Sequence, residues 1–277
     1  MPKVSVVMAS RNPNPAMLKE AIDSVLCQTY KDFELIIVDD GSDSPVEPVV
    51  RSISEDSRIK VFGIKHSGLG AALNHGIFEA EGEYIARLDD DDMMLPSRLE
   101  RQVAFMEVHK DVSCAGTWFY DKVGNKYYPH RKYSVEHEDI IKGLLTRHFL
   151  LAHTSVMFRK SAWEEIGGYR VAGGGQDLDL FLQLGTVGKL ANIGEYLTCY
   201  RMSATGLGTV NPKKREAYLF ALDDVVKRNL YPQYTDIAKA SIESLNEMQN
   251  KKHKTKYYRM LLVWRVKLLG KRLSERV

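Results

Sequence analysis

Residues 84–100 read YIARLDDDDMMLPSRLE: an apolar run, four consecutive aspartates, and the start of a second apolar pattern. Four adjacent carboxylates repel one another, so a chain that keeps them even half-buried needs a cation there. A solvated, exposed face is the commoner meaning of a charge run. This run, however, follows a strand pattern and precedes Pro96 and Leu99, which read as the start of a buried helix. The carboxylates are therefore held in place. Hard oxygen ligands suit Mg²⁺ or Mn²⁺, and Mg²⁺ sites use one or two carboxylates with water and phosphate at the other positions.

Upstream, KVSVVMA (residues 3–9) and FELIIV (33–38) are β-branched runs of buried-strand type. Between them Leu18, Ala21, Ile22, Val25 and Leu26 repeat at i, i+3, i+4, i+7 and i+8, one face of a helix. A weaker helix over about residues 48–54, the strand IKVFGI, and a helix over about 68–79 precede EYIARL. Strands alternating with helices predict βαβ units and a largely parallel sheet. Residues 121–195 are less regular and carry two glycine clusters, IGGYR and VAGGGQD. From about residue 211 the pattern is helical only, so a soft boundary falls there.

At 277 residues, 44% hydrophobic and 27% charged, the chain suits one α/β domain with a helical appendage. Three well-separated cysteines, Cys27, Cys114 and Cys199, read as reduced thiols of a cytoplasmic protein. The opening MPKVSVVMAS reads as a first strand rather than a signal peptide, and no stretch approaches a spanning helix. Net charge is +3, but it is unevenly placed. Ten Lys/Arg and one acid give residues 251–277 a charge of +9, which leaves −6 on the rest.

In an open parallel sheet, ligands sit beyond the carboxyl ends of the strands. Three polar stretches fall at such ends: Ala9-Ser10-Arg11-Asn12, Asp39-Asp40-Gly41-Ser42, and Asp89 to Asp92. They read as one crevice, although DDGS alone would serve equally well as a turn and helix cap. No GxxxxGK[ST] loop is present, and no GxGxxG follows the first strand. A diphosphate bound here would need a metal to neutralise it, which points to a nucleotide diphosphate held through a metal bridge.

Five stretches in order carry a resemblance: SVVMASRNPNPAMLKEAIDSVLCQTYKDFELIIVDDGS, HSGLGAALNHGI, GEYIARLDDDDMMLPSRLERQVAFM, HTSVMFRKSAWEEIGGYR and QDLDLFLQL. Over roughly residues 3–205 the chain resembles glycosyltransferase family 2, the inverting, metal-dependent enzymes of the GT-A fold. The resemblance implies a Rossmann-like α/β unit with a mostly parallel central sheet flanked by helices. It implies a catalytic domain over residues 1–210, with a donor half (1–120) and an acceptor half (121–210), and a helical region over 211–277.

By that resemblance Ala9, Ser10, Arg11, Asp39 and Asp40 hold the nucleobase and ribose, Asp40 accepting from a uracil N–H. Asn74 lines the donor pocket. The DxD motif matches Asp89-Asp90-Asp91, with Asp91 as direct metal ligand and Asp89 and Asp90 toward the donor. The general base matches Asp177 in GGGQDLDL, with Gln176 where the family has Glu; the competing reading makes Asp177 a helix cap. Asp179 faces elsewhere. His153 falls on the acceptor side or is structural. Many relatives carry YRxH; here Tyr200-Arg201-Met202-Ser203 lacks the histidine, and Arg201 is expected to contact the diphosphate instead.

The implied reaction moves a sugar from a nucleotide-diphosphate donor, expected to be UDP-linked, to a glycan or lipid-diphosphate-linked acceptor in surface polysaccharide and O-antigen synthesis. The cofactor is Mn²⁺ or Mg²⁺. The basic tail, with Trp264 and several leucines among its cations, reads as a helix for an anionic membrane interface. That would place a cytoplasmic enzyme on the inner face of the cytoplasmic membrane. A helix packed on the catalytic domain, or on a second copy in a homodimer, is the equal alternative. Nucleic acid is not an expected partner, since the body is acidic and the aromatics form no stacking platform. Two rivals remain: a nucleotidyltransferase, and a non-catalytic sugar-nucleotide-binding module.

Overall fold

The computed structural model describes residues 1–148, 150–171, 174–202 and 212–250. The polypeptide begins β1 (Val4–Ser10), α1 (Pro15–Leu26), β2 (Phe33–Asp40), α2 (Glu47–Ile53), β3 (Ile59–Ile64), α3 (Leu69–Phe78) and β4 (Tyr84–Arg87). It continues β5 (Met93–Met94), α4 (Arg98–Val108), β6 (Val112–Val123), β7 (Lys126–Pro129), α5 (His137–Leu145), a 3₁₀ turn (His153–Ser155) and β8 (Met157–Arg159). Then come α6 (Lys160–Ile166), α7 (Gln176–Val187), β9 (Lys189–Arg201), α8 (Pro212–Lys227) and α9 (Thr235–Asn250).

The sheet order is β3-β2-β1-β4-β8-β6-β9-β5, with β7 on β6. Strands β3, β2, β1 and β4 are parallel, as the βαβ pattern requires. All eight residues of β2 are buried, because helices cover both sheet faces. Val7, Ile36, Val38 and Ile85 pack toward α3, α5 and α7. Val4, Val6, Met8, Leu35 and Ile37 pack toward α1, α2 and α4. Helix α1 starts where Asn14 Oδ1 accepts from the Ala16 and Met17 amides at 3.0 and 3.3 Å, with Pro15 in the first turn.

Beyond β4 the sheet is mixed. Strand β8, three residues long, runs antiparallel between β4 and β6, and β5 runs antiparallel to β9. Strands β6 and β7 form a hairpin whose turn places Gly124 at φ +57°. Parallel neighbours need a long crossover, and these short segments lack one. The helical region expected after residue 211 is present as α8 and α9. Ala217, Ala221, Leu222, Val225, Ala238 and Leu245 belong to the same core as the sheet.

Arg98 fixes the centre. Its side chain is 0% exposed and, among the described residues, has no carboxylate partner in hydrogen-bond range. Nη1 donates to the Thr154 carbonyl at 2.8 Å, and Nη2 donates to the Arg87 and Val156 carbonyls at 2.8 and 3.2 Å. Nε donates to Gln102 Oε1 at 3.0 Å, and Gln102 in turn reaches the Ala115 and Ser155 carbonyls. One guanidinium therefore joins the end of β4, the 3₁₀ turn and the start of β8. Burial pulls its pKa down to about 9, and the Arg87 charge adds to that.

Arg98→Leu should lower unfolding stability by about 3–5 kcal/mol, since the Arg87 and Thr154 carbonyls and Gln102 Oε1 lose their donor in the interior, the Val156 carbonyl keeping the Arg87 amide. Arg98→Lys keeps the charge but loses the fork, and should fall between. Urea denaturation reads both; a loss under about 1 kcal/mol for Arg98→Leu would show these bonds to be idle.

Candidate active site

The three polar stretches converge at the carboxyl ends of β1, β2 and β4. Ser10 Oγ donates to Asp90 Oδ2 at 2.6 Å, joining β1 to the aspartate run. The Asn12 amide donates to Ser42 Oγ at 2.8 Å, and the Asn12 and Asp43 side chains pair at 3.1 Å. Ala9 is half-buried and Arg11 exposed on the same rim.

Both aspartates of DDGS are engaged by backbone. Asp39 accepts from the Ser42 and Val46 amides at 2.9 and 3.0 Å, shaping the turn into α2. The turn reading describes that residue. Asp40 accepts from the Ser67 amide at 2.7 Å, the Gly68 amide at 3.0 Å and His66 Nδ1 at 2.9 Å. It thus seats the loop that opens α3. Gly41 (φ +69°) must stay glycine there, because a Cβ would lie 2.6 Å from the His66 nitrogen.

The aspartate run divides. Asp89, Asp91 and Asp92 bring one carboxylate oxygen each within 4.8 Å of one another, while Asp90 turns toward Ser10. Asp92 is 1% exposed; Oδ1 accepts from the Arg201 amide at 2.7 Å, the Thr154 hydroxyl also pulls on the carboxylate, and among the described residues Oδ2 has no partner of hydrogen-bond geometry. Burial, and then the Asp89 charge, hold the Asp92 carboxyl well above the usual range. Burial raises Asp90 to about 6 against the pull of the Ser10 hydroxyl. Asp91 is raised by burial and by Asp89. A buried carboxylate oxygen lacking a donor, beside two more carboxylates, fits a hard divalent cation. Asp92 was not singled out in the sequence, and only its place in the run pointed to it.

Two arginines brace this cluster. Arg87, 2% exposed, is hydrogen-bonded to Asp89, and its Nε and Nη1 lack partners. Burial alone would lower its pKa, but the Asp89 carboxylate more than offsets that. Arg201 does not project free toward the crevice. Its Nε donates to the Asp91 carbonyl at 2.8 Å and its Nη2 to Glu20 at 2.6 Å, so it buttresses the loop. Ser203 lies outside the described residues.

Asp177 lies in the first turn of α7. Gly175 at φ +102° takes the N-cap position without a side-chain cap, and Asp177 Oδ1 accepts from the Leu178 amide at 2.9 Å. Burial raises the Asp177 carboxyl, and the Lys214 charge opposes that. Asp179, 0% exposed, is committed to Arg170, whose Nη1 also meets Asp224 of α8 at 3.0 Å. The two aspartates are thus separated, as their spacing predicts. Gln176 is buried with Oε1 unpartnered. His153 Nε2 lies 2.7 Å from the Tyr169 hydroxyl, and burial holds its imidazole well below the usual range, so it is neutral. Asn74 clamps the Tyr169 backbone with two 2.8 Å bonds and is not free toward the crevice.

The model of the family "Glycosyl transferase family 2" matches residues 5–167. An uncharacterised glycosyltransferase of Methanocaldococcus jannaschii, MJ1057, is 32% identical over 84% of this chain and 78% of its own length. The O-antigen biosynthesis glycosyltransferase WbnJ of Escherichia coli is 33% identical over 65% of this chain and 71% of its own. Among solved structures, S. aureus TarS 1–349 in complex with UDP-GlcNAc superposes with a TM-score of 0.70 at 17% identity. The match covers 88% of this chain and 72% of that one. At that identity the likeness is one of fold. Among the described residues, no helix is long and apolar enough to cross a membrane.

Proposed function

Because the chain belongs to glycosyl transferase family 2 and is a glycosyltransferase with the GT-A fold, we propose that it transfers a sugar from a nucleotide-diphosphate donor, UDP-linked, to a glycan or lipid-diphosphate-linked hydroxyl, with inversion. The place of such a step is surface polysaccharide synthesis, a reading supported by the likeness to WbnJ. Family membership argues against the nucleotidyltransferase, and the presence of both Asp91 and Asp177 argues against a non-catalytic module descended from such enzymes. The observation that carries the reading is a division of labour between carboxylates. Three converge beyond the carboxyl end of β4 around an oxygen without a donor among the described residues, and a fourth, Asp177, stands apart on α7.

Asp89, Asp91 and Asp92 would hold Mn²⁺ or Mg²⁺, whose charge balances the donor diphosphate. Ala9, Ser10 and Arg11 line the base and ribose, over a floor that Asp39 and Asp40 fix through their backbone bonds. Asn74 and Arg201 hold the walls. Asp177 takes the proton of the acceptor hydroxyl onto a carboxylate oxygen. The acceptor oxygen bonds to the anomeric carbon as the carbon–oxygen bond to phosphate breaks on the opposite face. The electron pair leaves on the diphosphate. An α-linked donor then gives a β-linkage. Gln176 and His153 belong to the acceptor side, His153 as a neutral prop for Tyr169. We retain the donor half (1–120), the acceptor half (121–210) and the helical region (211–277) as the functional division.

Asp91→Ala and Asp92→Asn should each abolish the Mn²⁺-dependent part of UDP binding, read by calorimetry with and without chelator. Unchanged metal dependence in both would move the metal site elsewhere. Asp177→Asn is nearly isosteric but cannot take a proton. It should lower turnover by roughly 10²- to 10⁴-fold with UDP affinity intact; loss of UDP binding in the folded variant would reassign Asp177 to the donor pocket.

The +9 segment over residues 251–277 lies outside the described residues. On its composition it docks the enzyme on an anionic bilayer, with on the order of 1 kcal/mol per contacting cation. Cosedimentation with phosphatidylserine vesicles should then weaken as salt rises and vanish on truncation after residue 250. No sedimentation of the intact chain at low salt would make the segment a packing element.

A further inference from the structure

We infer that Lys214, from the C-terminal helix α8, is a positioning residue for Asp177, its ammonium set across the α7–α8 interface from the carboxylate assigned to the acceptor's proton. The inference rests on the reading of Asp177 as the base, and it draws the helical region into the catalytic apparatus.

The geometry begins at Gly175. A Cβ built there would lie 3.0 Å from both Ala217 Cβ and Tyr218 Cε1, in a backbone conformation (φ +102°) that side chains rarely adopt. One face of α8 therefore lies directly on the N-terminus of α7, two residues before Asp177. Lys214 precedes Ala217 and Tyr218 by three and four residues, so all three share that face. The helix is well seated: Ala217, Ala221, Leu222 and Val225 are buried, and Asp224 is tied to Arg170 at 3.0 Å.

The other cations around the α7–α8 interface, and Arg87, have partners of their own. Arg87 of β4, whose charge also reaches Asp177, is bonded to Asp89. Arg170 is committed to Asp179 and Asp224, and Arg228 to Asp224 and Gln183. Lys214 is half-buried and makes no ion pair among the described residues. The charges of Lys214 on α8 and Arg87 on β4 reach Asp177, Tyr218 and Tyr169 feel the Asp177 charge in turn, and Arg147, whose charge reaches Tyr218, donates to Ser244 Oγ at 3.3 Å. Of the two cations whose charge reaches Asp177, Lys214 is the one not already bonded to another carboxylate.

The chemical need is specific. A partly buried carboxylate drifts toward its protonated form, and a protonated Asp177 cannot accept the acceptor's hydroxyl proton. An ammonium across the helix interface favours the anion without donating through the oxygen that meets the substrate. The base then works as pH falls until its raised pKa is crossed; without Lys214 that crossing comes at higher pH.

Carboxyl ¹³C NMR of aspartate-labelled full-length protein, with the Asp177 signal assigned by Asp177→Asn, reads the effect without any substrate. In Lys214→Met the Asp177 midpoint should move upward by about one pH unit. Lys214→Arg should leave it in place, which a purely structural role for the side chain would not predict. Should Lys214→Met fold poorly, Lys214→Gln serves the same comparison. An unmoved midpoint in a folded variant overturns the inference. A moved midpoint together with full turnover in Asp177→Asn overturns the base assignment instead, and the two failures are thereby distinct.

Discussion

A guanidinium with no carboxylate partner among the described residues ties β4, the 3₁₀ turn and β8 together, and much of the molecule is arranged around it. Where β4 stops pairing with β8, the Arg87 and Thr154 carbonyls face the interior, while the Val156 carbonyl already accepts from the Arg87 amide at 2.9 Å. Buried carbonyls without donors are costly. Arg98 offers several donors in a rigid fork and meets all three at once. Its charge has a further use, since it is felt by Asp92, the most buried carboxylate of the aspartate run. The cation that completes the backbone thus also moderates the repulsion within that run. A lysine could supply the charge but not the three-way geometry.

Arg87 extends the same logic by one layer. Bonded to Asp89 and buried to 2% exposure, it leaves two donors unmet. Asp92 meanwhile leaves one acceptor unmet. In the proposed mechanism these unmet donors and this unmet acceptor are what a diphosphate and its cation would complete. The end of β4 holds these groups rigidly, which a metal–diphosphate site requires and a loop on the surface would not provide.

How much of this was legible in the sequence depends on how local the cause is. β1, α1 and β2 read clearly, because burial on both sheet faces writes continuous apolar runs and the helix writes its own period. β5, β7 and β8 did not, because segments of two to four residues carry too little periodicity to be seen. The aspartate run announced a cation site, but not that Asp90 turns to Ser10 while Asp92 turns inward. Adjacent residues in a turn point apart, and only the neighbours decide which way. Asp39 and Asn74 illustrate the converse: polar residues in the expected places whose side chains are spent on backbone. Arg98 looked like an ordinary charged residue in a helix's first turn. Lys214 carried no signal at all, since its partner lies 37 positions away across a helix interface.

The two walls of the crevice are joined by α3. Its N-terminus is fixed by Asp40 through the Ser67 and Gly68 amides, on the side assigned to the nucleotide. Its middle is fixed by Asn74 to the Tyr169 backbone, and Tyr169 in turn supports His153. One residue on, Arg170 grips Asp179 of α7 and Asp224 of α8. A short series of bonds therefore runs from the donor floor to the helix that carries Asp177. Displacement at an anomeric carbon demands that attacking oxygen, carbon and leaving oxygen be aligned, and errors of about 1 Å are expensive. A base on an independent loop would have to find that alignment anew at each turnover. In the proposed mechanism the base, Asp177, is carried on a helix bonded to the same framework as the loop assigned to the nucleotide, so the fold would set the alignment before either substrate arrives.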